Sequence, residues 1–306
     1  MYADFNSGID SEALHREIYS GAIVRFRDLP PMQDLVAFAR EFLENALAPR
    51  VPVESHRGYD ERALAGVYAA IQREFAKSSE AGRLWRTVFE VAGLDPEVTA
   101  RDRLILRFQP PDSPEGQRHW ARSTATVSFH RDTWGTNLYA QVNWWAPVYP
   151  IDAGRTFALF PDLFDQPLAN SSATFDLSEV MRRNQESPET LKAGEMVPQL
   201  LERIEPGTGL PVVIAPGEVI AFSAQHAHAG IRNRTEFTRI SLETRTLRIP
   251  DHLAGRGAGN VDGRAPWMSP GMFRRVTDGM PLTEILQLKS LEPRRDRIAD
   301  ESGRMS

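Results

Sequence analysis

The hydrophobic positions change period about a third of the way along the chain. Between Met32 and Leu47, Leu35, Phe38, Ala39, Phe42 and Leu43 recur at steps of three and four, which is one face of an α-helix. Pro30-Pro31 stands just before them, where the fixed φ of proline suits a helix start. The same period returns in Leu64, Val67, Tyr68, Ile71 and Phe75, with Asp60 placed to cap a helix running to about Ala76. A third, shorter helix is expected over Glu80–Val91. Amphipathic stripes of this kind predict packed helices and carry no chemistry of their own.

From Arg103 the period falls to two. Arg103–Gln109 alternates and stops at Pro110-Pro111, and Asn137–Pro147 alternates through Leu138, Ala140, Val142 and Trp144. Trp144 and Trp145 are therefore expected on opposite faces of a sheet. Further strands are expected over Arg155–Phe160, Val212–Ile214, Glu218–Phe222 and Thr238–Leu247, separated by turns such as Pro216-Gly217. Many short strands behind a helical preface predict a mainly β protein with N-terminal helices, built as a sandwich or jelly roll. Asp176–Gln185 reads as a helix and Glu186–Glu195 as a loop. The Gly- and Pro-rich stretch Arg248–Met272 is either an ordered loop over a site or a surface excursion, and the charged tail Pro293–Ser306 reads as a frayed end. With no repeat and no long linker, a single domain over residues 1–306 is expected. It comprises a mostly helical region to residue 100, a β core over 101–248, and a possible lid loop and tail over 249–306.

Composition narrows the chemistry. Cysteine is absent, which excludes disulfides, thiolate zinc sites, iron–sulfur clusters and cysteine nucleophiles. Histidine and carboxylates are left as the strong metal ligands. A net charge of -5 argues against a nucleic-acid partner. No run of about 18 apolar residues is present, so no membrane-spanning helix is expected. The polar N-terminus lacks the apolar core of a secretory signal, and a cytoplasmic protein is the expectation.

Two segments about a hundred residues apart carry the candidate chemistry. The first is Phe129-His130-Arg131-Asp132, in which a strand would turn His130 and Asp132 to the same side. Alone, a His-x-Asp triplet is weak evidence. The second runs from the turn Pro216-Gly217-Glu218 through Val219–Phe222 to His226 and His228, followed by Asn233 and by Arg239 at the head of a strand. His226 and His228 share parity, so both could face inward. The spacing from Phe222 and to Asn233 and Arg239 favours His228 as a ligand. His226 is left to orient a ligand, to touch substrate, or to sit as a satisfied buried imidazole. Two histidines and one carboxylate on one face of an iron leave three coordination positions open. A guanidinium suits a carboxylate held at a distance from the metal.

On these residues the chain resembles the iron(II)/2-oxoglutarate-dependent oxygenase superfamily, within the phytanoyl-CoA dioxygenase-like group. The resemblance spans about residues 100–248. It implies a double-stranded β-helix, a cupin-like jelly roll, with His130, Asp132 and His228 as the iron ligands and Arg239 as the anchor of the far carboxylate of 2-oxoglutarate. It implies Fe(II), 2-oxoglutarate and O2 as reactants, succinate and CO2 as products, and hydroxylation of a small molecule by a monomer or homodimer. The carboxylate at Asp132 argues against halogenation and leaves desaturation, epoxidation or ring formation open.

Other residues have candidate roles. Gln141 and Asn143 would offer amides to the co-substrate or substrate, and Ser241 a hydroxyl to a co-substrate carboxylate. Arg245 is a rival anchor, unless it holds substrate or pairs with Glu243. Arg107 and Gln109 end a strand where substrate-facing residues are expected, Trp134 is a candidate wall, and His119 beside Trp120 a candidate entrance residue. The competing classes are a non-oxidative cupin-like isomerase or metabolite-binding protein, a non-catalytic jelly roll, and a protein hydroxylase or nucleic-acid demethylase, the last disfavoured by the acidic balance.

Overall fold

The computed structural model describes residues 2–5, 9–112, 124–186, 195–204 and 209–287. The chain starts with β1 (Tyr2–Phe5), α1 (Ser11–Tyr19) and β2 (Ile23–Phe26), where β1 and β2 pair in parallel. Three helices follow, α2 (Pro30–Leu47), α3 (Glu61–Lys77) and α4 (Ser79–Val91). Their starts are local in origin. Two prolines open α2, the Asp60 carboxylate accepts from Ala63 N at 2.8 Å to open α3, and the Ser78 hydroxyl accepts from Ala81 N at 3.2 Å to open α4.

The β elements are β3 (Thr99–Arg101), β4 (Ile105–Gln109), then after a short α5 (Asp132–Thr136), β5 (Gln141–Pro147) and β6 (Phe157–Leu159). Beyond α6 (Leu177–Glu186) come β7 (Leu210–Pro211), β8 (Val219–Ser223), β9 (His228–Gly230) and β10 (Arg239–Arg248). The described chain closes with α7 (Ile249–Leu253), β11 (Arg274–Arg275) and α8 (Leu282–Ile285). A mixed eight-stranded sheet runs β1-β2-β8-β5-β10-β3-β11, with β4 beside the first half of β10. A second, antiparallel sheet runs β7-β6-β9.

Alternation along the central strands of the large sheet divides their apolar side chains between two faces. Leu106 and Phe108 of β4, Val142, Trp144 and Ala146 of β5, Val219 and Ala221 of β8, and Ile240 and Leu242 of β10 join the core against the helices. Trp145, Ile220 and Phe222 point the other way and meet Phe157 and Leu159 of the small sheet. The two sheets therefore pack through this second cluster. Trp144 and Trp145 divide between the two faces, as their parity requires.

Several expected boundaries move. Asn137 adopts left-handed backbone (φ 55, ψ 33) and ends α5, so β5 begins at Gln141 rather than Asn137. Leu138 and Ala140 instead join a small cluster with Phe273 and Leu282. Near residue 212 the strand pairing falls on Leu210–Pro211, while Val212 and Ile214 fill the space between the sheets. The opening β1-α1-β2 unit has no counterpart in the periodicity reading, because its strands have four residues each. No described helix is long and apolar enough to cross a membrane.

Trp144 joins the helical layer to the sheet. Its ring lies 6.0 Å from Phe26 and 5.4 Å from Phe89, and its Nε1 donates to Thr246 Oγ1 at 2.8 Å. Trp144→Ala is expected to lower unfolding free energy by about 3–5 kcal/mol in denaturant titrations. A loss under about 1 kcal/mol would mean that the two layers are not held together through this face.

Candidate metal centre

His130 and His228 meet because their backbones do. His130 N donates to His228 O at 3.0 Å and His228 N donates to His130 O at 2.9 Å, an isolated antiparallel bridge. Directly paired residues project their side chains to the same side, and the two ring centroids lie 4.3 Å apart. Asp132 arrives differently from the expectation of a strand position. Arg131 is extended (φ -110, ψ 139), and Asp132 is the first residue of α5. A single extended residue still turns Asp132 to the His130 side, and its Oδ1 lies 3.5 Å from His130 Nε2. One ligand atom from each of His130, Asp132 and His228 falls within 4.8 Å of the others.

Arg131 points away from this cluster and is wholly buried. Its Nη1 donates to Phe164 O at 2.9 Å, its Nη2 donates to Leu163 O at 2.6 Å and Gln166 O at 2.8 Å, and its Nε lies 3.4 Å from Asp262 Oδ2. A buried guanidinium is costly unless its donors are met, and here carbonyls and one carboxylate meet most of them. The residue between the two ligands thereby clamps their segment to the loop over 163–166.

The imidazoles are set up as ligands. His130 Nδ1 lies 2.8 Å from Ser128 O, and His228 Nδ1 lies 3.0 Å from His226 O. A carbonyl only accepts, so each Nδ1 carries the proton and each Nε2 keeps a free lone pair. Burial pushes the His228 imidazole down to about 4, so it is neutral at pH 7. Burial alone would raise the Asp132 carboxyl. Arg245, His130 and His228 outweigh that effect and hold it well below the usual carboxylate range. Two imidazoles and one carboxylate suit a divalent first-row metal.

His226 is not part of this cluster. It is fully buried, with Nε2 3.1 Å from Gly21 O and its ring 4.6 Å from that of Phe164. It is the satisfied imidazole of the two alternatives, and burial lowers its pKa to about 4.

The cluster opens into a cavity between the sheets. Ile105, Trp145, Phe157 and Phe222 give it apolar walls, while Ala125–Ser128, Met196 and Val197 line it from the connecting segments. The polar lining comes from one face of β10 and its neighbours: Arg239, Glu243 and Arg245, with Arg107, Gln109 and Asn143. Register explains the grouping, since Arg239 pairs with Gln109, Ser241 with Arg107, and Arg245 with Asn143. The close approach at the rim requires Gly230, where a Cβ would stand 2.8 Å from Thr126 Cγ2.

Three of these groups differ from their expected roles. Gln141 does not line the cavity; its Nε2 donates to Asn143 Oδ1 at 2.9 Å. Asn143 does line it, but its amide donates to Asp132 Oδ2 at 2.7 Å. Ser241 is turned to Glu243, donating at 3.1 Å, and Glu243 in turn accepts from Arg107 Nε at 2.8 Å. Arg245 pairs not with Glu243 but with Asp102 at 3.0 Å and Asp132 at 3.4 Å.

Arg239 is the exception. It is buried, lines the cavity, and its Nε and Nη1 have no hydrogen-bond partner among the described residues. Burial lowers its pKa to about 10, which leaves it charged at neutral pH.

Asn233 fixes the approach to Arg239. Its amide donates to Gln109 O at 2.9 Å and to Phe237 O at 2.8 Å, tying the turn before β10 to the end of β4.

Residues 249–272 contribute nothing to the described cavity lining. They pack behind the ligand segment, where Trp134 Nε1 donates to Asp262 at 2.7 Å and Ser269 N donates to Thr136 O at 2.9 Å. Trp134 is accordingly buried there rather than walling the cavity. His119, Trp120, Pro293–Ser306 and most of the Glu186–Glu195 loop lie outside the described residues. Asp102 and Arg131 went unnoticed in the sequence. Neither stands in a motif, although Arg131 between two ligands was a position to question.

No protein-family profile matches the chain, and no curated protein matches it. Similar solved structures include EvdO2 from Micromonospora carbonacea var. aurantiaca complexed with 2-oxoglutarate, 14% identical with a TM-score of 0.44 over 80% of this chain and 94% of that chain. They also include the non-heme monooxygenase ThoJ in its nickel complex, 14% identical with a TM-score of 0.42 over 77% of each chain. A third is EctD from S. alaskensis with 2-oxoglutarate and 5-hydroxyectoine, 13% identical with a TM-score of 0.39 over 84% of this chain and 87% of that one. Likenesses this distant carry no weight in the assignment of the site, which rests on its own geometry.

The geometry makes a direct prediction. In calorimetric titrations of the metal-free protein with Co(II), His228→Ala and Asp132→Ala should abolish binding, while His226→Ala retains one site. Binding retained in His228→Ala and lost in His226→Ala would reverse the choice between the two histidines.

Proposed function

We propose that the protein is an Fe(II)/2-oxoglutarate-dependent oxygenase acting on a small molecule, built as a single domain around a jelly-roll core. One observation carries the reading. A two-histidine, one-carboxylate cluster and a buried, unpartnered guanidinium line the same cavity. A metal isomerase or a metabolite-binding cupin needs the first of these and does not require the second.

The donor set fits iron. His130 and His228 present Nε2 lone pairs, Asp132 presents a carboxylate, and three coordination positions stay open on a six-coordinate ion. Arg239 fits the far carboxylate of 2-oxoglutarate. Holding a guanidinium out of water with two donors unmet is unfavourable, and a carboxylate arriving there removes that penalty while forming charge-assisted bonds. With iron and 2-oxoglutarate bound, such a centre supplies the oxidising power to functionalise an unactivated carbon, with release of succinate and CO2.

The chain's own residues handle binding, orientation and exclusion of water. Arg239 draws the dianion to the far end of the cavity, so its other end faces the ligand cluster. Ile105, Trp145, Phe157 and Phe222 form walls that displace water. Asn143 holds the Asp132 oxygen that faces away from His130. Hydroxylation is the simplest outcome, with desaturation, epoxidation and ring formation as variants set by where the substrate carbon is held. The net charge of -5 and the apolar walls of the cavity favour a small molecule over a nucleic acid.

The test needs no substrate. Fe(II) is added anaerobically to the metal-free protein, 2-oxoglutarate is titrated, and the visible charge-transfer band of the chelate is followed. A saturable band is expected, with Arg239→Ala raising the apparent 2-oxoglutarate Kd by at least tenfold, since a charge-assisted contact is worth about 1.5–3 kcal/mol. Iron bound without a band would favour the non-oxidative metal protein. A band whose midpoint is indifferent to Arg239→Ala would move the anchor elsewhere.

A further inference from the structure

Arg245 lies between two carboxylates. Its Nη1 donates to Asp102 Oδ2 at 3.0 Å and its Nη2 donates to Asp132 Oδ1 at 3.4 Å. The same Oδ1 is the oxygen nearest His130 Nε2, so it is the one that faces the ligand cluster. The other oxygen, Oδ2, is taken by Asn143 at 2.7 Å and more distantly by Gln141 at 3.4 Å. Asp102 is rigid in turn. It is buried, its Oδ1 accepts from Arg103 N at 2.6 Å, and its backbone N donates to Arg245 O at 2.9 Å. Asp102 follows directly on β3, which pairs with the end of β10 that carries Arg245.

We propose that Arg245, anchored by Asp102, is a positioning residue that fixes Asp132 as a one-oxygen metal ligand. The proposal rests on the metal reading of His130, Asp132 and His228. A carboxylate free to swing can bind a metal through both oxygens and fill a fourth position. Here Asn143 occupies Oδ2, and Arg245 limits rotation of Oδ1 from the opposite side. Three positions on the metal are thereby kept for incoming ligands. The fork of a guanidinium is needed, since it must donate to two carboxylates from two nitrogens at once.

Asp102, Arg245 and Asp132 together carry one net negative charge at a mostly buried position, which a divalent cation overcompensates. Asp102 matters because it shares Arg245. Without it, the guanidinium is released to bind Asp132 alone and competes with the metal for Oδ1.

The experiment compares wild type, Arg245→Met, Arg245→Lys, Asp102→Asn and the Arg245→Met/Asp102→Asn double variant. Co(II) affinity is measured by calorimetry, and the intensity of the Co(II) visible bands reports coordination number. Arg245→Met is expected to weaken Co(II) binding about 10–100-fold, the usual effect of losing a group that orients a metal ligand, and to change the band intensity. Arg245→Lys should restore affinity in part and the spectrum incompletely. Asp102→Asn should weaken binding in the same direction, and the double variant should be no weaker than Arg245→Met, because Asp102 acts only through Arg245.

Unchanged Co(II) affinity and spectrum in Arg245→Met, with only a lower Tm, would overturn the proposal, and so would additive losses in the double variant. If Arg245→Met does not fold, wild-type affinity and spectrum in Arg245→Lys would overturn it equally. Wild type that binds no Co(II) would sink the metal reading itself and this inference with it. Binding by wild type with indifference in all the variants would sink this inference alone.

Discussion

The backbone bridge between His130 and His228 is the constraint on which the site depends. It joins the segment before α5 to β9 of the small sheet, and each residue both donates and accepts. Two hydrogen bonds of this kind contribute modestly to stability, about 1 kcal/mol each. Their positional effect is larger. They fix both imidazoles in direct cross-strand register, so neither side chain has to search for the other. The carbonyls of Ser128 and His226 then set both tautomers. Arg131, Trp134 and the segment carrying Asp262 brace the same bridge from behind. Each contact is ordinary. Together they place three ligand atoms within reach of one ion before any ion arrives, which is the preorganisation a metal site needs.

The strand pleat does the rest of the sorting. On β10 the odd positions from Arg239 to Arg245 face the cavity side, while Ile240 and Leu242 enter the helix-backed core. A one-residue slip of β10 would exchange these sets, placing guanidinium groups among Phe26, Trp144 and Leu106. Desolvating those charges costs far more than any register energy, so the site's own charges enforce the register that builds it. The helical layer carries no chemistry, yet it makes this penalty real by keeping the opposite face dry. Fold and site are therefore held by the same alternation.

The long periodic elements were legible in the sequence, and so was the ligand cluster. The helices α2, α3 and α4 match expectation to within a few residues, because their stripes are long and their caps are local. Parity puts His130 and Asp132 on one side and spacing favours His228 over His226, while the ligand set and the role expected of Arg239 come from the family resemblance. What was not legible is pairing among the remaining polar residues. Gln141, Asn143 and Ser241 read as cavity groups from parity, and all three side chains reach Asp132 or Glu243. Their partners were hidden because cross-strand register is not written in either strand alone. Asp102 illustrates the limit. It lies in no motif, and only the pairing of β3 with β10 brings it to Arg245. The loop over 249–272 was read as a possible lid from composition, but glycine and proline say that a segment turns, not which side of a site it turns toward.

Among the cavity's guanidinium groups, pairing separates structure from function. Arg107 is committed to Glu243 through its Nε, and Arg245 to Asp102 and Asp132. Arg239 keeps two donors open. The nearest candidate to quench it is Glu243, two turns of the pleat away on the same face. Glu243 stabilises the Arg239 charge at a distance, but its oxygens already accept from Arg107 and Ser241. Glu243 thus lowers the cost of burying Arg239, partly offset by repulsion from Arg107, without occupying its hydrogen-bonding face. A fully paired Arg239 would be more stable and would bind nothing. On the proposed reading, partial compensation through space leaves Nε and Nη1 available to a carboxylate.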